Sequence, residues 1–293
     1  MFNLGIFQSI GYKNNSILNT TKITMIYNIH HLTCGSFCPV CAPMFGQKGW
    51  KAHLVCHCLL VETDRGLVLI DTGLGTQDYL HTQQRLGSLL TKFGAIVPDI
   101  HLSAFHQIQQ LGYSLDDVKH IFVSHLDFDH AGGISDFPNA TVHVLASEFN
   151  ATQSLSLKGK NRYKTEQFKY HRYWNFAEQA DGEAWFNLQK VKGLPLFQDE
   201  ILMVPLIGHT LGHSAIAVKK QDGWILFCGD AYFSHLELNP KNRLRALDFT
   251  ERLLAEDNQQ RLHNLKHLQY LAQHEPSIEL ICAHDPVEFN RYQ

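Results

Sequence analysis

The sequence predicts an α/β protein built from layers of sheet and helix in one domain. Short apolar runs typical of buried strands recur along the chain, and most of them end at an ionisable residue. Segments with helical spacing separate several of these runs, as in α/β folds. No internal repeat, low-complexity segment or clear linker divides the 293 residues, and this length provides a sizeable core.

The first half of the chain predicts five strands. We interpret residues 1–24 as a flexible N-terminal extension, because the first convincing strand pattern begins at Met25, and residues 25–293 as the single domain. The predicted strands are ITMIYNIHHL, AHLVCHCLLVET, LVLIDTG, IFVSH and TVHVLA. Between the third and fourth, residues 77–112 predict helices interrupted near Pro98, and SLDDVKH predicts a capped helical turn.

The second half predicts four more strands, ILMVPL, AIAVKK, WILFCGD and IELICAH. Before them, residues 147–193 are rich in aromatic residues, Lys and Gln and lack a clear period. We interpret this segment as helices and loops that form a lid or a dimerisation insertion, so a homodimer is a candidate assembly. Residues 241–275 carry leucines at near-helical spacing, which predicts a long amphipathic helix.

The composition argues against several classes of protein. The net charge is −3 and no basic stripe stands out, so nothing indicates a nucleic-acid partner. No apolar run approaches the roughly 20 residues of a membrane span, and the first residues lack the features of a secretory signal. The seven cysteines are an odd number and cannot all pair within one chain, which favours a reduced, cytoplasmic protein.

Three of these cysteines, Cys34, Cys38 and Cys41, have the spacing C-x3-C-x2-C. This spacing also occurs at the iron–sulfur cluster of radical enzymes, which is one interpretation of the segment. No strand–helix repeat of barrel type follows it, so we favour a loop at the mouth of a different site, with buried or free thiols.

The segment SHLDFDHAGG, residues 124–133, concentrates ionisable side chains. It contains the candidate metal ligands His125, Asp127, Asp129 and His130. Histidine and aspartate are common ligands of divalent zinc. Residues 125 and 127 share one side of an extended segment, and a turn then brings residues 129 and 130 to a neighbouring point. One loop can therefore serve two adjacent metal positions.

Four further strands run into ionisable residues in the same way. The residues are Asp71 after LVLI, His209 and His213 after VPLIG, Asp230 after LFCG and His284 after LICA. If these strand ends meet at one edge of the sheets, their side chains form a single polar cluster with residues 125–130.

These segments make the sequence resemble the metallo-β-lactamase superfamily of hydrolases. LIDTG, HLDFDH, GHTLGH, CGDA and CAHD match the family's segments in the family's order and span most of the chain, from Asp71 to His284. The resemblance implies an αββα sandwich with a two-metal site along one edge. The early part, HCLLVETDRGLVLIDTG, looks most like the N-acyl homoserine lactone lactonase branch.

The resemblance also implies a set of ligands. It assigns His125, His209 and Asp230 to a first metal ion, and Asp129, His130, His284 and the shared Asp230 to a second. It places Asp71 behind the ligands as a hydrogen-bonding partner and makes His213 a structural residue. We expect two divalent ions, with zinc favoured and iron or manganese as alternatives.

Asp127 departs from the family pattern HxHxDH, which has histidine at this position. We expect Asp127 to bind the first metal, and the alternative is a carboxylate turned aside to a neighbouring group. An ionised Asp127 lowers the formal charge of two cations, Asp129, Asp230 and a bridging hydroxide from one positive charge to zero. The metal-bound water should then ionise at higher pH, by about one unit for an interaction near 1.4 kcal/mol.

The implied reaction is ester hydrolysis by a bridging hydroxide, with Asp129 and Tyr232 as candidate catalytic residues. Asp129 would pass a proton to the leaving oxygen. Tyr232 would hydrogen-bond a substrate carbonyl, or else pack as an aromatic under the metal loop. The favoured substrate is a small lactone of N-acyl homoserine lactone type. The alternatives are a thioester or other ester, as in glyoxalase II, and a non-catalytic member that binds a ligand at an altered metal site.

Overall fold

The computed structural model of the protein describes residues 24–93, 95–153, 162–178, 183–190, 197, 200–242 and 244–293. Its strands are β1 (Ile26–Phe37), β2 (Leu54–Thr63), β3 (Gly66–Ile70), β4 (Val118–Phe122), β5 (Thr141–Leu145), β6 (Trp174–Ala177), β7 (Glu183–Trp185), β8 (Leu188–Lys190), β9 (Ile201–Pro205), β10 (Ser214–Lys220), β11 (Gly223–Phe227) and β12 (Ile278–Ile281). Its α-helices are α1 (Thr76–Leu80), α2 (Thr82–Leu86), α3 (Ser88–Phe93), α4 (Ala104–Gln110), α5 (Phe128–Ala131), α6 (Ala146–Thr152), α7 (Arg245–Leu254), α8 (Asn258–His274) and α9 (Pro286–Phe289). Residues 1–23 of the predicted N-terminal extension lie outside the described residues.

The strands form two large sheets and one small hairpin. The first sheet has the order β1-β2-β3-β4-β5-β6, and the second has the order β12-β11-β10-β9. In the first sheet, β1, β2 and β3 are antiparallel, and β3 to β6 run parallel. In the second sheet, β9, β10 and β11 are antiparallel, and β11 pairs with β12 in parallel. Strands β7 and β8 form the separate hairpin.

The two sheets pack face to face and carry helices on their outer faces. Alternate residues of both sheets, such as Phe122 and Phe227, meet in one buried cluster between them. Ile108 of α4 packs on the other face of the first sheet, and Leu268 of α8 packs on the other face of the second. The predicted αββα sandwich is therefore confirmed. Within the described ranges, none of the helices is long and apolar enough to cross a membrane.

The structure corrects three predicted elements. The predicted loop after Leu32 is partly strand, because a register shift between Thr33 and Ser36 lets β1 continue along β2 to Phe37. The segment 147–193 was expected to lack strands, but it contributes β6 to the first sheet and the hairpin β7–β8. The predicted long helix over 241–275 is two helices, α7 and α8, and the Asp257 side chain caps the start of the second.

The turn after β3 depends on one glycine. Gly73 has a φ of 59°, and a Cβ atom there would lie 2.1 Å from the backbone oxygen of Cys34. Gly73→Ala should lower the free energy of unfolding by about 3 kcal/mol, because it adds a backbone clash to an unfavourable dihedral. Denaturant unfolding would measure this change. Gly112→Ala is the control, since Gly112 also has a positive φ but has open space around it. An equal loss in both variants would contradict the clash.

Candidate metal centre

The predicted strand ends do meet at one edge of the two sheets. Among the described residues, three groups of side chains there could each hold a metal ion, and two of these groups share Asp230. We call these two the first metal position (His125, His209 and Asp230) and the second metal position (His130, His284 and Asp230). The loop after β4 supplies His125 and the helix α5 that follows it supplies His130, whereas the loops after β9, β11 and β12 of the second sheet supply the others.

Asp230 faces the two positions with different oxygens. Its Oδ2 atom lies 3.3 Å from His209 Nε2 and 3.8 Å from His125 Nε2. Its Oδ1 atom lies 3.2 Å from His130 Nε2 and 3.1 Å from His284 Nε2. One carboxylate can therefore bridge two adjacent ions. Asp129 lies beside the second position, 3.9 Å from His130 Nε2 and 3.6 Å from His284 Nε2.

The histidines of the second position are oriented from behind. Asp71 Oδ2 accepts a hydrogen bond of 2.7 Å from His130 Nδ1, and the Val55 carbonyl accepts one of 2.8 Å from His284 Nδ1. Each bond fixes the ring proton on Nδ1 and leaves Nε2 available as a ligand. Asp71 also accepts hydrogen bonds from the backbone and the hydroxyl of Ser124, so it ties β3 to the ligand loop.

Three of these residues fit a metal ion because an inward-facing atom of each has no hydrogen-bond partner among the described residues. His125 Nε2, His130 Nε2 and Asp230 Oδ1 are buried and, among the described residues, have no hydrogen bond of good geometry. Unpartnered buried polar atoms are rare and costly. Burial opposes protonation of His130, yet Asp230, Asp71 and Asp129 hold its pKa well above the ordinary value. A site with so much negative charge attracts cations.

Asp127 lies beside the first position, but a partly buried arginine, Arg162, binds it. Its Oδ2 atom is 3.3 Å from His125 Nε2 and 3.2 Å from His209 Nε2. Arg162 Nε and Nη2 donate to Asp127 Oδ1 and Oδ2, both at 2.7 Å. Burial would raise the pKa of the Asp127 carboxyl, but the Arg162 guanidinium and His125 hold it well below its usual range. This fork-to-fork pairing is a strong form of ion pair.

The ion pair changes the charge count made from the sequence. That count treated Asp127 as an uncompensated negative charge beside the metals. Arg162 supplies a compensating positive charge at hydrogen-bonding distance, so the formal charge of the centre returns to the value it has with a neutral histidine. The expected shift of the metal-bound water toward higher pH loses its electrostatic basis. The charge count did not include Arg162, because Arg162 lies 35 residues from Asp127 in the chain.

Tyr232 does not reach the metal positions, which corrects the prediction of a catalytic role. The side chain is fully buried in the apolar cluster between the second sheet and α8. Its hydroxyl donates to Glu288 Oε1 at 3.1 Å. A phenol that is fully enclosed and paired with Glu288 is not available to hydrogen-bond a substrate at the centre. The alternative, an aromatic packed under the metal loop, describes its place.

His213 and the cysteine segment also have clear places. His213 Nε2 accepts a hydrogen bond from the Asp230 backbone at 3.0 Å, so it supports that loop. All seven cysteines are free; Cys34 is fully buried, Cys38 is half-buried and Cys41 is exposed. No sequence pattern singled out Cys56 of β2, yet its sulfur, an oxygen of Asp129 and a ring nitrogen of His284 lie within 4.8 Å of one another.

Glu148 of α6 links the loop that carries His125 to the loop that carries His209. It is fully buried, and its carboxyl oxygens accept hydrogen bonds of 3.0 Å from the backbone of Leu126 and of Gly212. Burial raises the pKa of Glu148 from its ordinary value of 4.5 to about 7. Between these two values the folded protein holds a proton that the unfolded chain has released. Its stability contribution is therefore present below pH 4.5 and is lost as the pH rises through 7.

The variant Glu148→Gln carries no such titration. Its stability relative to the wild type should rise by about 3 kcal/mol between pH 4.5 and pH 8, whatever constant cost the amide adds. Denaturant midpoints of both proteins across this range would measure the difference. A difference that stays constant with pH would show that Glu148 titrates normally.

Comparisons with known proteins agree with this architecture. Residues 53–272 match the family model described as "Metallo-beta-lactamase superfamily". The chain is 38% identical over 264 residues to a probable metallo-hydrolase of Mycobacterium tuberculosis, and the match covers 88% of this chain and 80% of the relative. It is 28% identical over 189 residues to an N-acyl homoserine lactonase of Bacillus thuringiensis, over 64% of this chain and 67% of the relative.

Solved structures share the fold. An N-acyl homoserine lactone hydrolase with the product N-hexanoyl-L-homoserine at its catalytic metal centre matches with a TM-score of 0.68, 20% identity, and coverage of 92% of this chain and 97% of that chain. A dizinc quorum-quenching lactonase matches with a TM-score of 0.58, 16% identity, and coverage of 90% and 91%. The fold, the family match and the 38% identical relative together show that the chain belongs to the metallo-β-lactamase superfamily and is a metallo-hydrolase.

Proposed function

We propose that this metallo-hydrolase opens the ester ring of a lactone of the N-acyl homoserine lactone type, using two divalent ions, in the first instance zinc. The observation that carries the proposal is the geometry of Asp230, whose two oxygens face two separate pairs of histidines at 3.1–3.8 Å. A pair of metal ions held in this way can act on both the carbonyl and the leaving oxygen of an ester.

The residues of the chain divide the remaining work. The four histidines and Asp230 would hold the ions, and Asp71 would keep His130 in the binding tautomer through its bond to Nδ1. Asp129 is the candidate proton carrier, because its side chain lies at the second position and is 14% exposed. From there it could hand a proton to the leaving oxygen as the ring opens.

The lactone substrate is favoured by the relatives. The N-acyl homoserine lactonase of Bacillus thuringiensis matches 64% of this chain, and the solved structures of similar fold include lactonases. Arg162, in the 147–193 segment, lies against the centre through its contacts with Asp127 and with the backbone of Leu254. We propose that the residues between Arg162 and β6 act as a lid over the substrate.

The test is a metal and substrate survey of the purified protein. We expect about two equivalents of zinc per chain. We also expect ring opening of N-hexanoyl homoserine lactone, measured through the proton that each opening releases. Matched thioesters and phosphodiesters should react more slowly. Faster thioester cleavage would replace the lactone by the thioester as the substrate class. If the protein binds no metal and opens no lactone, the proposed activity is wrong and the alternative of a non-catalytic, ligand-binding member of the family is favoured.

A further inference from the structure

Arg162 is held at the first metal position by a partner for each of its N–H groups. Its side chain is 10% exposed. Nε and Nη2 donate to the two oxygens of Asp127, and Nη1 donates to the Leu254 carbonyl at 2.6 Å, with Glu256 at 3.5 Å. The remaining N–H of Nη2 points to His209 Nε2 at 2.6 Å. A guanidinium has five N–H groups, and each of them has one of these partners.

One of these partners, His209, is also a ligand of the first metal position. His209 Nε2 is the nitrogen that faces Asp230 at 3.3 Å in the first metal position. It has one lone pair, which can bind either the arginine N–H or a metal ion. When the position is loaded, the Nη2 N–H must find another acceptor, while Asp127 and Leu254 still hold the rest of the guanidinium. A donor fixed in this way is ready for an oxygen that arrives with the substrate.

The location selects the type of oxygen. The displaced N–H lies between Asp127 and His209, beside the position where an ester carbonyl would approach the ions. That oxygen gains negative charge during ring opening and becomes part of a carboxylate in the product. Guanidinium groups bind carboxylates through short, charge-assisted hydrogen bonds. The neighbouring negative charge of Asp127 is already matched by the same guanidinium, so one cation serves both groups.

We propose that Arg162 is a substrate-binding residue, fixed by Asp127 so that one N–H of Nη2 binds the charge-bearing oxygen of the substrate and the carboxylate of the product. This inference rests on the proposed function for the identity of the substrate. It also explains the departure from the family pattern, because an aspartate at position 127, unlike a histidine, can hold the guanidinium of Arg162 through two hydrogen bonds. Asp127 is then a positioning residue rather than a metal ligand.

The experiment measures binding as well as turnover. Calorimetric titration of the zinc-loaded protein would use the ring-opened product, N-hexanoyl-L-homoserine, and the uncharged primary amide made from its carboxyl group. Arg162→Gln should weaken binding of the carboxylate by about tenfold or more, the effect of one charge-assisted hydrogen bond. Binding of the amide should change much less. Zinc content, measured on the same samples, should stay at the wild-type value.

Two variants test the role of Asp127 and the effect of a lost charge. Asp127→Asn removes the negative charge that holds the guanidinium in place, so it should weaken carboxylate binding as Arg162→Gln does. Combining the two substitutions should add little further loss, because both remove one shared interaction. Arg162→Lys keeps a cation and should fold even if the glutamine variant does not. Arg252→Gln, an exposed residue of α7, is the control and should bind both compounds as the wild type does.

Each outcome decides between distinct claims. Equal binding of the carboxylate by the wild type and Arg162→Gln, or no binding by either, overturns the role of Arg162. Equal loss for the carboxylate and the amide assigns Arg162 a purely structural role and also overturns it. If Arg162 controls carboxylate binding but no lactone is opened, the inference stands and the proposed substrate is wrong. If lactones are opened equally well with and without Arg162, the proposed function stands alone.

Discussion

Asp230→Ala is expected to empty both metal positions together. The two oxygens of Asp230 face two different pairs of histidines, each pair on its own side of the carboxylate. Removing the carboxylate takes a ligand from both positions and leaves four histidines around one cavity. The affinity for zinc should fall at both positions by more than the roughly 10- to 100-fold that loss of an outer hydrogen-bonding partner costs. Lactone turnover should fall with it.

Metal analysis at limiting free zinc would test this expectation. The wild type should retain about two equivalents, and Asp230→Ala should retain close to none. Asp222→Ala is the control, because Asp222 is an exposed residue in the turn before β11. Retention of one tight equivalent in Asp230→Ala would show that Asp230 serves one position only.

Asp71→Asn should affect the two positions unequally. Asp71 accepts hydrogen bonds from His130 Nδ1 and from the backbone and hydroxyl of Ser124. The NH2 group of an asparagine side chain would face at least one of these hydrogen-bond donors, and two donors cannot pair with each other. His130 then loses the bond that fixes its tautomer, and zinc affinity at the second position should fall by about 10- to 100-fold. The buried mismatch should also cost about 1–3 kcal/mol of stability.

The prediction is one tight equivalent of zinc per chain in Asp71→Asn, compared with about two in the wild type. Ser124→Ala provides the matched comparison. It removes one donor to Asp71 and the hydroxyl that lies 3.0 Å from His125 Nδ1, and it leaves the bond to His130 in place. It should therefore retain zinc at the second position and weaken it at the first. Equal losses from both positions in Asp71→Asn would mean that Asp71 holds the whole loop and has no particular effect on His130.

The candidate ligands were predictable because their signal is local. Most of them follow an apolar strand within a few residues, as Asp71 follows β3 and His284 follows β12. A buried strand fixes where its end must lie, so ionisable residues at several strand ends converge whatever the detailed packing. The family resemblance then ordered these residues into two positions. The oddity at Asp127 was equally visible in the sequence.

The partner of Asp127 was not predictable, because nothing local marks it. Arg162 follows a polar stretch without periodicity, and its contact with Asp127 depends on how the chain returns after α6. An aspartate in place of histidine did call for a compensating cation, but the sequence offers 25 lysines and arginines. Strand β6 was missed for a related reason. Its four residues are stabilised by parallel pairing with β5 and by the contacts of Trp174 and Phe176 with Phe149 of α6, which are tertiary effects.

The division of the ligands between the two sheets has a consequence for folding kinetics. His125 and His130 belong to the first sheet, whereas His209, Asp230 and His284 belong to the second. No metal position is complete until both sheets have docked, which makes metal capture a late, long-range event. Interactions absent from the transition state change the unfolding rate and leave the folding rate nearly unchanged. Bound ions should therefore act mainly by slowing unfolding, and a chelator should shorten the lifetime of the folded chain while its refolding rate changes little.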